Sequence, residues 1–97
     1  MKKIYFDAIR SGRKTTTLRF WKRRRVRPGS VHTVPGLGRV RVEDVDVIDP
    51  TELTDADAEA DGFSDAVLLQ RALDEHYPPE QRPGRKLYRV RFRFPAG

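Results

Sequence analysis

The stretch Lys86-Leu87-Tyr88-Arg89-Val90-Arg91-Phe92-Arg93-Phe94 decides how this chain folds. Tyr88, Val90, Phe92 and Phe94 share one parity and Arg89, Arg91 and Arg93 the other, so a β-strand sends the two sets to opposite faces. One face is expected to pack a core, and the other to present a row of guanidinium groups. Upstream, Val31-His32-Thr33-Val34 reads as a strand, and Pro35-Gly36-Leu37-Gly38 as a hairpin connection into a strand from Arg39 to Ile48. In that strand Val40 and Val42 share a face while Val45 and Val47 have the opposite parity. A β-bulge near Glu43-Asp44 returns all four to a common face, and such bulges let a small sheet curl.

Around the strands sit short helices. Phe6 and Ile9 at helical spacing, closed by Gly12, predict a first helix. Residues 14–20, KTTTLRF, favour extended chain, because three successive Thr and a Phe fit a pleated surface better than a helix. Thr54 with Asp57 three residues on predicts a capped helix ending at Gly62. Ser64 is expected to cap the next, with Val67, Leu68, Ala72 and Leu73 on its buried side and an end before Pro78-Pro79. Turn signals stand at Arg27-Pro28-Gly29 and Pro83-Gly84. The expected fold is α+β: a small curled β-sheet or β-barrel with short helices at its rim, occupying residues 1–97 as one domain.

The formal net charge of +6 conceals a segregation. Residues 1–42 hold 13 Lys/Arg and one acid, residues 43–81 hold 13 acids and one base, and residues 82–97 hold six bases and no acid. If the two basic segments meet in space they form a positive surface suited to a polyanion such as RNA or another single-stranded nucleic acid. The competing reading is that the acidic block neutralises them within the fold. There is no Cys and only His32 and His76, so neither disulfides nor a thiolate metal site are available, and no metal or cofactor is expected. No run of residues is apolar enough to span a membrane. MKKIYFDAIRSG turns polar too early for a signal peptide, and a cytoplasmic or nucleoid-associated location is expected.

Chemistry concentrates in Gly12-Arg13-Lys14-Thr15-Thr16-Thr17-Leu18-Arg19, where a Gly, an amine, three hydroxyls and two guanidinium groups fall within eight residues. The spacing is not that of a Walker A loop. Lys14, Arg19 and the hydroxyls suit a phosphate or a polar base edge, and Arg13 adds charge. The competing reading is a Thr-rich edge strand with solvated basic neighbours. Thr15, Thr17 and Arg19 share a parity and are expected to line one surface. Trp21 is placed either to stack on a base or to fill the rim, and Arg23, Arg24 and Arg25 extend the positive surface.

The pattern Gly12-x-Lys14-x-x-Thr17-x-Arg19, after a Phe6/Ile9 helix and before Pro28-Gly29, resembles the signature of ASCH domains, small relatives of the PUA fold. The likeness runs on through a Gly-bearing hairpin, Leu53-Thr54 into an acidic helix, Asp61-Gly62-Phe63 before a Leu-rich helix ending in Tyr77-Pro78, and Leu87-Tyr88 opening the last strand. It implies a PUA-like barrel with a cleft and a connection to RNA or modified nucleosides. The motif is closest to that of small bacterial ASCH proteins acting as amidohydrolases on N4-acetylcytidine; others of the family are described as nucleases. By that resemblance the catalytic residues are Lys14 and Thr17 with an acid before the Leu-rich helix. The acid falls on Asp61 with a one-residue shift, and Glu59 competes.

A Thr hydroxyl needs a nearby base to become a nucleophile, and a Lys of lowered pKa can serve. Lys14 sits among Arg10, Arg13 and Arg19, whose charge favours its neutral form. Asp61 is then expected to position water or protonate a leaving amine, and Arg19 to hold a phosphate or oxyanion. One geometric condition follows: Lys14 and Thr17 differ in parity, so they converge only if the chain turns before the strand begins. The leading expectation is therefore a cleft for RNA or a nucleoside, with hydrolysis of an acylated cytidine-type base or of RNA as its enzymatic form. The rival is a non-catalytic nucleic-acid-binding module whose affinity comes from Arg89, Arg91, Arg93 and the other arginines.

Overall fold

A computed structural model describes residues 2–96. Four strands, β1 (Thr16–Trp21), β2 (Val31–Val34), β3 (Gly38–Ile48) and β4 (Lys86–Arg93), form one antiparallel sheet in the order β1-β4-β3-β2. Three short helices accompany them: α1 (Phe6–Arg10), α2 (Asp55–Ala60) and α3 (Ala66–His76). The strand with the clearest alternation, β4, is an inner strand, and β1 and β2 are the edges.

The bulge lies where the valine parity requires it, with the register of β3 on β4 slipping between Val42 and Asp44. Val42 then stands opposite Phe92, Val45 opposite Val90 and Val47 opposite Tyr88, so the valines share one face. The bulge curls the sheet into a half-barrel. Its near end is covered by α1, where Phe6 and Ile9 pack on Val40 and Phe92; at the far end Val47 remains 55% exposed.

The opposite face is less open than alternation alone suggests. Leu87 stands opposite Phe20 and Ile48 and packs with Leu18, Ala58, Leu69 and Leu73 beneath α2 and α3. The arginine row on that face is largely neutralised. Arg89 meets Asp46 at 3.0 Å and Asp57 at 3.1 Å, and Arg91 meets Asp44 at 3.1 Å. The acidic block thus supplies counter-charges to the last strand, as the competing reading of the charge pattern holds.

Helix boundaries follow their caps. Thr54 and Asp57 form the reciprocal capping box that their spacing predicts. At α3 the cap is Asp65, whose Oδ1 accepts from the Leu68 N–H at 2.9 Å, and not Ser64. The buried side differs in part from the expected one: Leu73 is buried as expected, with Leu69 one turn before it, whereas Val67 and Leu68 face outward at 62% and 40% exposure. Among the described residues no helix is long and apolar enough to cross a membrane.

Leu69→Ala and Leu87→Ala each remove a side chain that is 1% exposed and are expected to cost about 2–5 kcal/mol. Val67→Ala is expected to stay within about 0.5 kcal/mol. Urea denaturation distinguishes the cases, and equal costs would place α3 in the other phase.

Candidate functional site

The chain reaches its site through a tight turn after α1. Gly12, at φ +79°, ends the helix in the left-handed region, and the Lys14 N–H returns to the Ala8 carbonyl at 3.0 Å. Thr15 is fixed on both sides: its N–H donates to the Ala60 carbonyl at 2.7 Å, and its carbonyl accepts from the Phe92 N–H at 3.0 Å. The strand begins only at Thr16. The chain therefore turns where the Lys14/Thr17 parity condition demands it.

Within this turn lies a buried polar clasp. Lys14 and Asp61 are 4% and 5% exposed. Lys14 Nζ donates to the carbonyls of Thr16 and Asp61, both at 2.8 Å, and stands 3.2 Å from Asp61 Oδ2. Three acceptors match the three N–H bonds of an ammonium. Thr16 Oγ1 donates to Asp61 Oδ1 at 3.0 Å. Gly62, at φ +94°, lets the α2–α3 turn pass against the Lys14 stem, where an added Cβ would meet Lys14 Cβ at 3.4 Å.

Beside the clasp opens a cleft of about 350 Å³, lined by Lys14, Asp61, the Thr17-Leu18-Arg19 segment of β1, and Leu69, Leu73 and His76 of α3. Tyr5, Phe63 and Tyr77 contribute aromatic walls, and Tyr5 and Phe63 meet edge to face at 6.1 Å. Lys14 Nζ stands 5.0 Å from the centre of the Tyr5 ring. The combination of apolar walls with a few convergent polar groups is typical of a small-molecule pocket.

Burial shifts the ionisable groups towards their neutral forms. It lowers the Lys14 pKa, with Arg19 acting in the same direction and the Asp61 carboxylate opposing. It raises the Asp61 pKa against the pull of Lys14, Thr16 and Arg19. The Tyr5 phenol is also pushed up, by burial and then by Asp61 and Glu75, and stays a donor. The depressed Lys14 expected from its arginine neighbours thus has burial as its main cause. Arg10 instead bonds the Gly36 carbonyl and Asp7, and Arg13 bonds Ser11 Oγ.

Of the residues singled out in the sequence, Lys14, Thr17, Arg19 and Asp61 converge on the cleft. Glu59 lies exposed on α2 and does not line it. Thr15 parts from Thr17 and Arg19, because it precedes the strand and borders a second groove with Glu43, Asp44, Arg91 and Arg93. Trp21 packs on Tyr88 with ring centres 5.5 Å apart, and Arg23, Arg24 and Arg25 lie in the exposed connection after β1. Sequence reasoning gave no individual site role to Tyr5, Phe63 or Thr16. The Thr16 signal was available: it shares the parity of Leu18 and Phe20, and a buried hydroxyl requires a partner. Among the described residues no group of three His, Cys, Asp or Glu side chains is placed to hold a metal ion.

Two solved structures share the fold. The crystal structure of hypothetical protein PH0355 aligns at a TM-score of 0.79 and 19% identity, covering 96% of this chain and 93% of that one. The ASCH domain from Lactobacillus crispatus JV V101 aligns at a TM-score of 0.78 and 14% identity, covering 93% of this chain and 69% of that one. No family model and no curated protein matches the chain. The structural likeness establishes an ASCH/PUA-like fold.

Lys14→Met leaves Asp61 buried without its counter-ion and is expected to cost about 3–5 kcal/mol, whereas Lys14→Met with Asp61→Leu recovers much of that loss. A double-mutant cycle by urea denaturation reads the coupling; additive losses would dissolve the clasp as a unit. The sign of the pH dependence also follows. Because the folded Asp61 pKa lies above its ordinary 3.8, its contribution to stability is full below that value and is lost as pH rises through the folded pKa. Asp61→Asn lacks this component, so the stability difference, wild type minus variant, is expected to shrink as pH rises through the same interval.

Proposed function

We propose that this chain is an ASCH-family protein whose cleft binds an unpaired base of RNA or a free nucleoside of cytidine type. The cleft carries the reading: an aromatic-walled cavity of about 350 Å³ in which Arg19, Thr17, Lys14 and Asp61 meet. The volume suits one nucleoside. Tyr5, Phe63 and Tyr77 offer surfaces for stacking, and Arg19 offers a donor fork for a phosphate or carbonyl oxygen.

Hydrolysis of an acylated exocyclic amine is the second reading, favoured by the opposed shifts of Lys14 and Asp61. A proton passing from Lys14 to Asp61 leaves a neutral amine beside a carboxylic acid, a base and an acid in one site. Thr17 Oγ then adds to the acyl carbon as its proton moves to Lys14 Nζ. The C–N bond breaks as the base amine takes a proton from Asp61, and water releases the acyl group from Thr17 as a carboxylic acid. The longest contact of the ammonium, to Asp61 Oδ2 at 3.2 Å, is the one this step gives up.

A surface-binding role draws less support from β4, since Arg89 and Arg91 carry carboxylate partners. Among the described residues no ion pair engages Lys22, Arg23, Arg24, Arg25 or Arg27, so this connection is where an RNA backbone would run.

Titration with cytidine, N4-acetylcytidine and single-stranded RNA at two salt concentrations tests the binding reading, with Arg19→Ala expected to weaken binding about tenfold. Cytidine release from N4-acetylcytidine, abolished in Thr17→Ala with the fold intact, establishes the hydrolytic form. Folded protein that binds none of these ligands would overturn the proposal. Replacing Arg23, Arg24 and Arg25 together by Ala is expected to flatten the dependence of log affinity for RNA on log salt, leaving nucleoside binding unchanged.

A further inference from the structure

The main chain of β1 adds a recognition element that no side chain supplies. β1 is an edge strand, paired on one side with β4. The Thr15 carbonyl accepts from the Phe92 N–H, so in this antiparallel register Thr17 with Val90 and Arg19 with Tyr88 are hydrogen-bonded pairs. Leu18 with Arg89 is then a non-hydrogen-bonded pair, and the N–H and C=O of Thr16, Leu18 and Phe20 point away from the sheet. Two side-chain contacts agree with this direction: Lys14 Nζ takes the Thr16 carbonyl, and Arg85 Nη1 approaches the Phe20 carbonyl at 3.3 Å.

Between these two occupied carbonyls, Leu18 borders the cleft, and no hydrogen bond within the described residues engages its outward N–H or C=O. We infer that the Leu18 amide N–H and C=O read the Watson–Crick edge of the base, donating to a ring nitrogen and accepting from the adjacent exocyclic N–H. This rests on the proposed nucleoside reading of the cleft and deepens it. A cytosine-type amidine edge, with N3 as acceptor beside the N4 donor, matches the pair group for group. A base held so has no edge left for a complementary strand, so the ligand is single-stranded or free, and duplex RNA is refused.

The occupied neighbours argue against an added peptide strand. Strand addition takes bonds from every second edge residue, here Thr16, Leu18 and Phe20, along a continuous edge. Two of the three carbonyls are already bound, which leaves Leu18, beside the aromatic-walled cavity, as the one of the three with both donor and acceptor open.

Protein labelled with 15N-leucine reports on the Leu18 amide directly. Cytidine is expected to move its proton resonance downfield and slow its hydrogen exchange, while 3-deazacytidine, which lacks the ring acceptor, does neither and binds about 3- to 10-fold more weakly. A second measurement replaces the Thr17–Leu18 amide by an ester. The lost N–H pairs with nothing inside the sheet, so the fold is kept, and the variant is expected to bind cytidine and 3-deazacytidine equally. Cytidine binding that leaves Leu18 exchange unchanged, or an undiminished preference for cytidine in the ester variant, overturns this inference and leaves the cleft reading standing. Failure of every nucleoside and of RNA to bind overturns both.

Discussion

The Lys14 ammonium is removed from water, and an ion so placed keeps its charge only where acceptors replace its hydration. Those acceptors come from both ends of the chain's first sixty-odd residues: the Thr16 carbonyl at the start of β1, and the carbonyl and carboxylate of Asp61 at the end of α2. The clasp therefore fixes how the acidic helix sits on the sheet. Its neighbours conform to it. Gly62 gives the Lys14 stem room, Thr15 bridges Ala60 and Phe92 through its backbone, and Thr16 holds the second carboxylate oxygen. A shift of one of these segments would leave a buried donor or carboxylate unpaired, which costs more than the pair itself contributes.

The segregated charge of the sequence acquires two distinct uses in the fold. Asp44, Asp46 and Asp57 face arginines of β4, where partly exposed pairs contribute at most about 1 kcal/mol each and mainly relieve like-charge repulsion along the row. Asp61 instead turns inward, to a base from the other segment. Arg19 borders the same cleft, and among the described residues it has no ion-pair partner. Burial at the clasp shifts Lys14 and Asp61 towards their neutral forms, while Arg19 lines the cleft beside them; in the proposed reading, proton exchange and anion binding would fall to different side chains.

Much of this was legible because it depends on local rules. Alternation in β4, the valine parity around Glu43-Asp44 and the Thr54/Asp57 box each require only neighbours in sequence, and each agrees with the fold. The cap and the buried side of α3 were not legible, since Ser64 and Asp65 are comparable caps and apolar residues stand on more than one side of the helix, so the face that packs is set by the contacts of Leu69 and Leu73 with the core. The arginine row shows the same limit. Parity places Arg89 and Arg91 on one face, but their partners come from β3 and α2, at separations of 30 residues or more. At the site, Lys14, Thr17, Arg19 and Asp61 were reached through the motif, whereas Tyr5 and Phe63 converge only through the arrangement of the helices.

The position of the cleft follows from the treatment of the β1 edge. A free edge is a hazard, because its unpaired backbone groups invite another strand. From Thr16 to Phe20 the edge runs for about 13 Å at ~3.3 Å per residue, and Lys14 and Arg85 occupy a carbonyl at each end of it. Between them Leu18 keeps both its donor and its acceptor open, beside aromatic rings from the N-terminal segment, the α2–α3 turn and the end of α3. An added strand finds one complete donor–acceptor pair there instead of a full ladder, whereas in the proposed reading a flat ring with one donor beside one acceptor would satisfy that pair. The same two side chains protect the edge and, in the proposed reading, would set the selectivity of the cleft, and Lys14 serves both the buried clasp and the edge.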